Sequence, residues 1–278
     1  MLLELAQLPR LEATASRFET PCSRGGSMVW RRWGEGPPLV LLHGGSGSWN
    51  HWLRNIEGLS QRHTVYAADL PGCGDSDLPP GARDADSIHD DVSAGIAQLA
   101  GGAPVELVAF SFGSLVGGFI AAHRPELVKR LHLVGGAGLG LTRPRLFLKP
   151  VSEAMDAASR EAAVRHNMQA LMVLHPATLD DTALSMHAAN LRRDRLRRRR
   201  ISRTPVLIAL QTRWQCPVHA IWGQGDILIR NDADRLRAVL GGCDLRELSL
   251  IPDAGHWVQY ERAEAFHSVL LRGLDAAA

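Results

Sequence analysis

Short apolar runs recur along the chain between stretches in which apolar residues repeat every three to four positions. The runs rich in valine, leucine and alanine predict strands at Pro38–Leu42, Thr64–Asp69, Val105–Phe110, Leu131–Val134, Pro217–Trp222 and Leu245–Ile251. The periodic stretches predict helices at His51–Leu59, Ser87–Leu99, Phe112–His123, Asp232–Leu240 and Arg262–Leu274. This alternation predicts an α/β protein with a mostly parallel sheet flanked by helices.

Two segments depart from the alternation. Ala13–Trp33 predicts an antiparallel pair of strands at the sheet edge, with a turn at Arg24–Ser27. Leu141–Arg213 has a helical pattern throughout, yet it lies between two predicted strands. We therefore expect a helical cap at residues 141–213, inserted between an N-terminal part of the core at 1–140 and a C-terminal part at 214–278.

Composition narrows the class of protein. The chain has 278 residues, 45% of them hydrophobic, which is enough for a substantial core. Its four cysteines form neither a CxxC pair nor a cluster with zinc-like spacing. With no signal-peptide pattern and no apolar run of about 20 residues, we expect a cytoplasmic protein that does not bind membranes. A formal net charge of +2 gives little attraction to nucleic acid.

The most informative segment runs from Val105 to Ser114, where an apolar strand passes directly into a helix with Ser111 at the corner. A strained turn of this kind lifts a serine hydroxyl above the sheet as a nucleophile. Gly113 is the small residue expected two positions downstream, whereas Ala109 replaces the usual upstream glycine. The alternative is a serine that only caps a helix.

A second apolar strand ends in His43-Gly44-Gly45-Ser46-Gly47. Glycines let backbone N–H groups approach an oxyanion, and we expect the donors to be the N–H groups of Gly45 and Phe112. Gly44 and Ser46 are expected to contact the substrate, and His43 to brace the loop. A phosphate-binding loop is the alternative, but the sequence has neither GxxxxGK[ST] nor GxGxxG.

A nucleophilic serine needs a base and a group that orients it. His256 follows the last predicted strand, and Asp226 follows the strand before it. Both therefore belong at the carboxyl edge of the sheet with Ser111, as catalytic base and acid. Asp232 or Asp253 is the alternative acid. This chemistry requires no metal and no cofactor.

These segments together resemble the α/β-hydrolase superfamily over nearly the whole chain, and their order, Ser111, Asp226, His256, is the order that the superfamily uses. The resemblance implies the α/β-hydrolase fold and a serine hydrolase. The serine argues against haloalkane dehalogenases and epoxide hydrolases, whose nucleophile is aspartate.

Within the superfamily, the stretches Gly255–Phe266 and Val134–Gly140 are similar to the meta-cleavage product hydrolases, which cleave a carbon–carbon bond in vinylogous diketone acids. The resemblance implies that Trp257 lines the substrate pocket. The loop after Gly45 is shorter than theirs and lacks a proline. Their cap arginine, which holds the substrate carboxylate, aligns with His187, and Arg192 or Arg193 is the alternative. Ester or lactone hydrolysis remains open beside carbon–carbon cleavage.

Leu191–Arg200 contains seven arginines. We interpret the run as the solvated side of a cap helix rather than a nucleic-acid site, although it could steer an anionic substrate. Two other functions stay open: a binding protein for a small ligand on the same scaffold, and a cofactor-free perhydrolase with the same triad. A small-molecule substrate is the expected partner, and a homodimer is possible on general grounds.

Overall fold

The computed structural model describes residues 2–141, 145–196, 199–229 and 232–276. In this part of the chain, eight strands form one sheet in the order β1-β2-β4-β3-β5-β6-β7-β8. Their bounds are β1 Ser16–Pro21, β2 Ser27–Trp33, β3 Pro38–Leu42, β4 Thr64–Asp69, β5 Val105–Phe110, β6 Val128–Val134, β7 Val218–Gly223 and β8 Leu245–Ile251. The first two strands are antiparallel to their neighbours, and every pair from β4 to β8 is parallel. The predicted sheet and its antiparallel edge are confirmed.

Helices connect the strands and cover the sheet. They are α1 Leu2–Thr14, α2 Ile56–Leu59, α3 His89–Leu99, α4 Phe112–His123, α5 Ala157–Leu171, α6 Asp181–Arg193, α7 Val206–Leu210, α8 Ala233–Val239, α9 Val258–Glu261 and α10 Ala263–Asp275. Single turns of 3₁₀ helix lie at Trp49–Trp52, Ala85–Ser87, Pro125–Leu127, Pro176–Thr178, Ile201–Arg203 and Gln211–Arg213. In the described ranges, no helix is both long enough and apolar enough to cross a bilayer.

The core occupies both faces of the sheet. Along β3, Val40 and Leu42 point into one buried cluster, while Leu39 and Leu41 point into the other. Successive side chains of a strand point to opposite faces, so a strand covered on both sides is apolar at most positions. This explains why the central strands are predominantly apolar.

Two expectations about helices were wrong, and one helix was not predicted. Residues 51–59 do not form one helix, because a 3₁₀ turn ends at Trp52 and α2 begins only at Ile56. The N-terminal residues form α1, which the sequence pattern did not predict. The segment 141–213 is not helical throughout, since residues 145–156 contain no helix.

The segment between β6 and β7 contributes α5, α6 and α7. Asp156 and Asp180 begin the first two of these helices by accepting hydrogen bonds from the backbone N–H groups three residues on, at 2.9 Å and 2.7 Å. The N–H of Trp257 in turn donates to the carbonyl of Met172, at 2.6 Å. The inserted segment is therefore bonded directly to the loop that follows β8.

Candidate active site

Ser111 lies at the turn between β5 and α4 in a conformation that few residues other than glycine adopt, with φ of 52°. Its N–H donates to the carbonyl of Val134 at 2.8 Å, which ties the turn to the end of the neighbouring strand. Holding a non-glycine residue at positive φ costs about 1–3 kcal/mol and persists only where the surroundings impose it. The sharp strand-to-helix corner predicted around Ser111 is present.

Close packing explains the alanine found two positions before the serine. A Cβ atom added at Gly117, one turn into α4, would lie 3.0 Å from the Cβ of Ala109. A Cβ atom at Gly113 would lie 2.6 Å from the carbonyl oxygens of Leu42 and His43. The helix therefore provides, at position 117, the space that the methyl group of Ala109 requires.

The structure brings Ser111, His256 and Asp226 together in one hydrogen-bonded chain. The Nε2 atom of His256 lies 2.9 Å from the Oγ of Ser111, and its Nδ1 lies 2.8 Å from an Oδ of Asp226. The second Oδ of Asp226 accepts a hydrogen bond from the N–H of Leu228 at 2.8 Å. Both side chains behind the serine are buried. This is the geometry in which an imidazole can remove the hydroxyl proton of a serine.

The two alternative acids lie elsewhere. Asp232 caps α8, accepting a hydrogen bond from the N–H of Arg235 at 2.9 Å. Asp253 has a side chain that is 73% exposed and lies 3.9 Å from His175. Of the three candidates, Asp226 is the aspartate that contacts His256.

Two buried histidines brace the glycine-rich loop. The Nε2 of His43 accepts a hydrogen bond from the N–H of Leu70 at 2.9 Å, and its Nδ1 donates to the carbonyl of Gly44 at 2.7 Å. The Nδ1 of His51 accepts a hydrogen bond from the N–H of Gly44 at 3.3 Å. Burial lowers the pKa of His43, and it lowers the pKa of His51 well below the ordinary value. Both rings are therefore neutral supports for the loop, and no sequence motif pointed to His51.

Arg199 is a second side chain of the site to which no catalytic motif in the sequence pointed. A Cβ atom on Gly45 would lie 3.3 Å from both Cδ and Nε of Arg199, so the arginine rests directly on the loop. Its guanidinium carbon lies 5.1 Å from the ring centroid of Phe112. Arg199 therefore lies beside both residues predicted to supply oxyanion donors. Only its place in a basic run could have drawn attention to it.

Two cavities lie near the loops of the site, and Leu148 and Leu171 line both of them, whereas no triad residue is among their described lining residues. The first, which we call the loop-side cavity, has a volume of about 720 Å³ and is lined by Gly45, Ser46 and Arg199 among others. The second, the acid-side cavity, has a volume of about 550 Å³ and is lined by Gly136, Leu228 and Ile229 among others. Both volumes suit a small organic substrate.

The predicted substrate-binding residues are not all in these walls. His187 and Arg192 line the loop-side cavity together with Ser46. Burial lowers the pKa of His187 to about 4, so this ring carries no charge at neutral pH. Gly44 contacts the nucleophile turn, because a Cβ atom there would lie 3.2 Å from the Cβ of Ser111.

Trp257 is placed differently from a pocket-lining residue. Its side chain is only 1% exposed and is absent from the walls of both cavities. Its Nε1 donates to the carbonyl of His51 at 3.1 Å, and its ring stacks on Tyr260 at 4.2 Å between centroids. Trp257 thus lies behind the active site, where it supports the segment that contains His51.

The arginines of the run Leu191–Arg200 differ in their contacts. Arg197 and Arg198 lie outside the described residues. Arg193 forms an ion pair with Asp75, and Arg195 donates to the carbonyl of Ser76, so both hold the segment between β6 and β7 to the loop after β4. Over residues 2–141, 145–196, 199–229 and 232–276, no group of three His, Cys, Asp or Glu side chains is placed to hold a metal ion.

Comparisons with known proteins agree with this architecture. A dihydrolipoyllysine-residue acetyltransferase component of an acetoin cleaving system from Pseudomonas putida is 29% identical over 271 residues, which cover 89% of this chain and 66% of that longer protein. A 2-hydroxy-6-oxononadienedioate/2-hydroxy-6-oxononatrienedioate hydrolase from Klebsiella pneumoniae is 26% identical, covering 97% of this chain and 99% of the relative.

A solved structure of a putative aryl esterase from Burkholderia cenocepacia superposes with a TM-score of 0.74 at 22% identity, covering 93% of this chain and 98% of that one. At this identity the likeness concerns the fold. Residues 37–263 also match the family described as the alpha/beta hydrolase fold. The chain therefore belongs to the α/β-hydrolase family.

Proposed function

We propose that this α/β-hydrolase is a serine hydrolase that acts by acyl transfer on a small carbonyl substrate, with Ser111, His256 and Asp226 as its catalytic triad. The observation that carries the proposal is the hydrogen-bonded chain from Ser111 through His256 to the buried carboxylate, at 2.9 Å and 2.8 Å. It begins at a strained turn, and the loops that contain Gly45 and Leu228 each line one cavity. A serine that only capped a helix would need neither the imidazole nor the acid.

The reaction would proceed in two halves. As the Oγ of Ser111 attacks the carbonyl carbon, Nε2 of His256 accepts the hydroxyl proton, and the carbonyl oxygen becomes an anion. The N–H groups of Gly45 and Phe112 would stabilise that anion. Phe112 is suited to this role because α4 begins there, and the first N–H groups of a helix have no acceptor within it.

Collapse of the tetrahedral intermediate expels the leaving group, which takes the proton from His256 and leaves an acyl-serine. Water then attacks the acyl carbon, and His256 accepts one proton from it. The second collapse releases the carboxylic acid and returns the proton to Ser111. The protein's own side chains supply every proton transfer in this cycle.

Carbon–carbon hydrolysis of a vinylogous diketone acid is the second candidate. It is favoured by the 26% identical relative, named as a hydrolase of such an acid, and by Arg192 and Arg199 in the wall of the loop-side cavity. A substrate carboxylate would find positive charge there, whereas neutral His187 would supply none. In that reaction the leaving group is a carbon atom, which takes the proton that an alcohol would take in ester hydrolysis.

Parallel turnover assays on short p-nitrophenyl esters and on a 2-hydroxy-6-oxo-dienoate test both candidates, with Ser111→Ala as the control. We expect turnover that Ser111→Ala abolishes while the circular dichroism spectrum stays unchanged. Much faster cleavage of the dienoate would assign carbon–carbon hydrolysis, and turnover of esters alone would assign an esterase.

Covalent labelling by an organophosphonate provides an independent readout. Labelling of Ser111, located by mass spectrometry, is expected in the wild-type protein and not in His256→Ala. An unreactive Ser111 in a folded protein would overturn the proposal and favour a binding protein on the same scaffold. A rate that depends on peroxide rather than on water would instead identify a perhydrolase.

A further inference from the structure

The arginine that rests on the oxyanion loop comes from the inserted segment between β6 and β7, far along the chain from the loop itself. The Cδ and Nε of Arg199 lie 3.3 Å from the position that a Cβ atom on Gly45 would occupy, and the guanidinium lies over the ring of Phe112. These two residues are the proposed backbone donors to the oxyanion. A positive charge is therefore held beside both residues that are proposed to bind the oxyanion.

Asp194 fixes the position of this charge. One carboxylate oxygen accepts a hydrogen bond from Nη2 of Arg199 at 2.7 Å, and the other accepts from the hydroxyl of Ser46 at 2.7 Å. The aspartate side chain is only 6% exposed. Because one buried carboxylate joins the arginine to the oxyanion loop, the two are aligned before substrate enters.

The Nε–H group of Arg199 is a second feature of the site. Within the part of the chain that the structure describes, its Nε is buried and has no hydrogen-bond acceptor. A buried donor left without a partner costs about 1–3 kcal/mol, so it is a feature that a ligand would be expected to satisfy. Of the donor atoms of Arg199, this Nε is also the one nearest the position that a Cβ atom on Gly45 would occupy.

We propose that Arg199 is a third oxyanion donor, a catalytic residue supplied by the inserted segment that stabilises the tetrahedral intermediate together with the N–H groups of Gly45 and Phe112. Asp194 is its positioning residue, acting through the guanidinium and through Ser46. The inference rests on the proposed serine hydrolase function, because it concerns the anion formed when Ser111 attacks. The cationic side chain of Arg199 would stabilise this anion whether the substrate is neutral or acidic.

Kinetics on a neutral ester test this role, since such a substrate offers no carboxylate for an arginine to bind. For Arg199→Met we expect kcat on p-nitrophenyl butyrate to fall about 10²-fold with little change in KM, the effect of removing one oxyanion donor. Affinity for a trifluoromethyl ketone, whose serine adduct carries the same anion, should fall by a similar factor. Arg200→Met is the matched control, because Arg200 is an exposed neighbour whose loss changes net charge equally.

Chemical rescue separates a donor from a structural support. Guanidinium ions at low, non-denaturing concentration should restore part of kcat in Arg199→Ala and leave Arg200→Ala unchanged. Asp194→Asn should lower kcat less than Arg199→Met, because the donor stays present but loses its alignment. Thermal unfolding shows whether Arg199→Met folds. If it does not, Arg199→Lys, which keeps the charge on a similar chain, replaces Arg199→Met in these assays.

Two results would overturn the proposal. Unchanged kcat for Arg199→Met on the neutral ester, with loss confined to acidic substrates, would make Arg199 a carboxylate-binding residue. If kcat of Arg199→Met equals that of the wild type on every substrate, guanidinium has nothing to restore, and Arg199 is only a structural contact. Failure of the serine hydrolase proposal is distinguishable, because wild-type protein would then show neither turnover nor labelling of Ser111.

Discussion

Glu261 accepts a hydrogen bond from the N–H of Gly255 at 2.6 Å, directly before the histidine of the proposed triad. The same buried carboxylate accepts hydrogen bonds from the N–H groups of Leu174 and His175, at 3.0 Å and 2.7 Å. One side chain therefore holds the loop that carries His256 and the segment between β6 and β7 in fixed relation. This link explains why a charged residue is buried at the end of α9.

Glu261→Gln should disturb both parts at once. The amide has a single acceptor oxygen, so at least one of the N–H groups would lose its partner, at a cost of about 1–3 kcal/mol in the free energy of unfolding. We also expect a lower kcat, because His256 would be less well placed. Urea unfolding and ester turnover measure the two effects. Glu264→Gln, the same change at an exposed position of α10, should alter neither.

The identity of the catalytic acid can be tested by three matched substitutions. Asp226→Asn should lower kcat by about 10⁴-fold without unfolding the protein, because an amide no longer holds the tautomer of His256 that accepts the serine proton. Asp232→Asn and Asp253→Asn should retain nearly full kcat, since neither side chain contacts His256. A large loss in either control would mean that the acid is assigned to the wrong aspartate.

The packing around Ala109 predicts a coupled pair of substitutions. Gly117→Ala places a methyl group 3.0 Å from the Cβ of Ala109 and should destabilise the fold by about 1–3 kcal/mol. The double variant with Ala109→Gly should recover most of that loss, because it removes the opposing methyl group. A double-mutant cycle of unfolding free energies measures the coupling. Additive effects would show that the two positions do not crowd each other.

Acid sensitivity should come in part from buried histidines in β6 and β7. His132 lies 3.1 Å from Glu106 and 5.3 Å, between ring centroids, from His219. Burial lowers the pKa of His132, and it lowers the pKa of His219 to about 4. In the unfolded chain a histidine takes up a proton near pH 6.5.

Below about pH 6.5 the unfolded state therefore binds more protons than the folded state, and the free energy of unfolding should fall as the pH drops towards 4. His219→Gln should make that fall shallower. Urea unfolding between pH 7.5 and pH 4.5 measures the slope, and His123→Gln, at an exposed histidine, is the control. Identical slopes in wild type and His219→Gln would contradict the assignment.

The central sheet was predictable because its strands are apolar on both faces, and this pattern is local. The bounds of β3, β5 and α4 agree with those predicted from the sequence. The break after Trp52 was not predictable, since Trp52 and Ile56 are both buried and their spacing also fits one continuous helix. α1 escaped prediction because Pro9 lies inside it, where proline usually ends a helix.

The site divides in a similar way. Ser111, Asp226 and His256 could be selected because each follows a strand whose end lies at the same edge of the sheet. Arg199 and His51 could not, because their importance depends on contacts made by folding, Arg199 with Gly45 and His51 with Gly44. For the same reason the sequence did not reveal that Trp257 is buried behind the site.

The distance along the chain between the groups of the triad has a consequence for folding. Ser111 and His256 are 145 residues apart, and the segment that carries Arg199 lies between them. A ribosome that has released only the first half of the chain has produced the nucleophile without its base. Hydrolysis of an ester would therefore begin only when the last strand has joined the sheet, and its onset during refolding would mark the completion of the molecule.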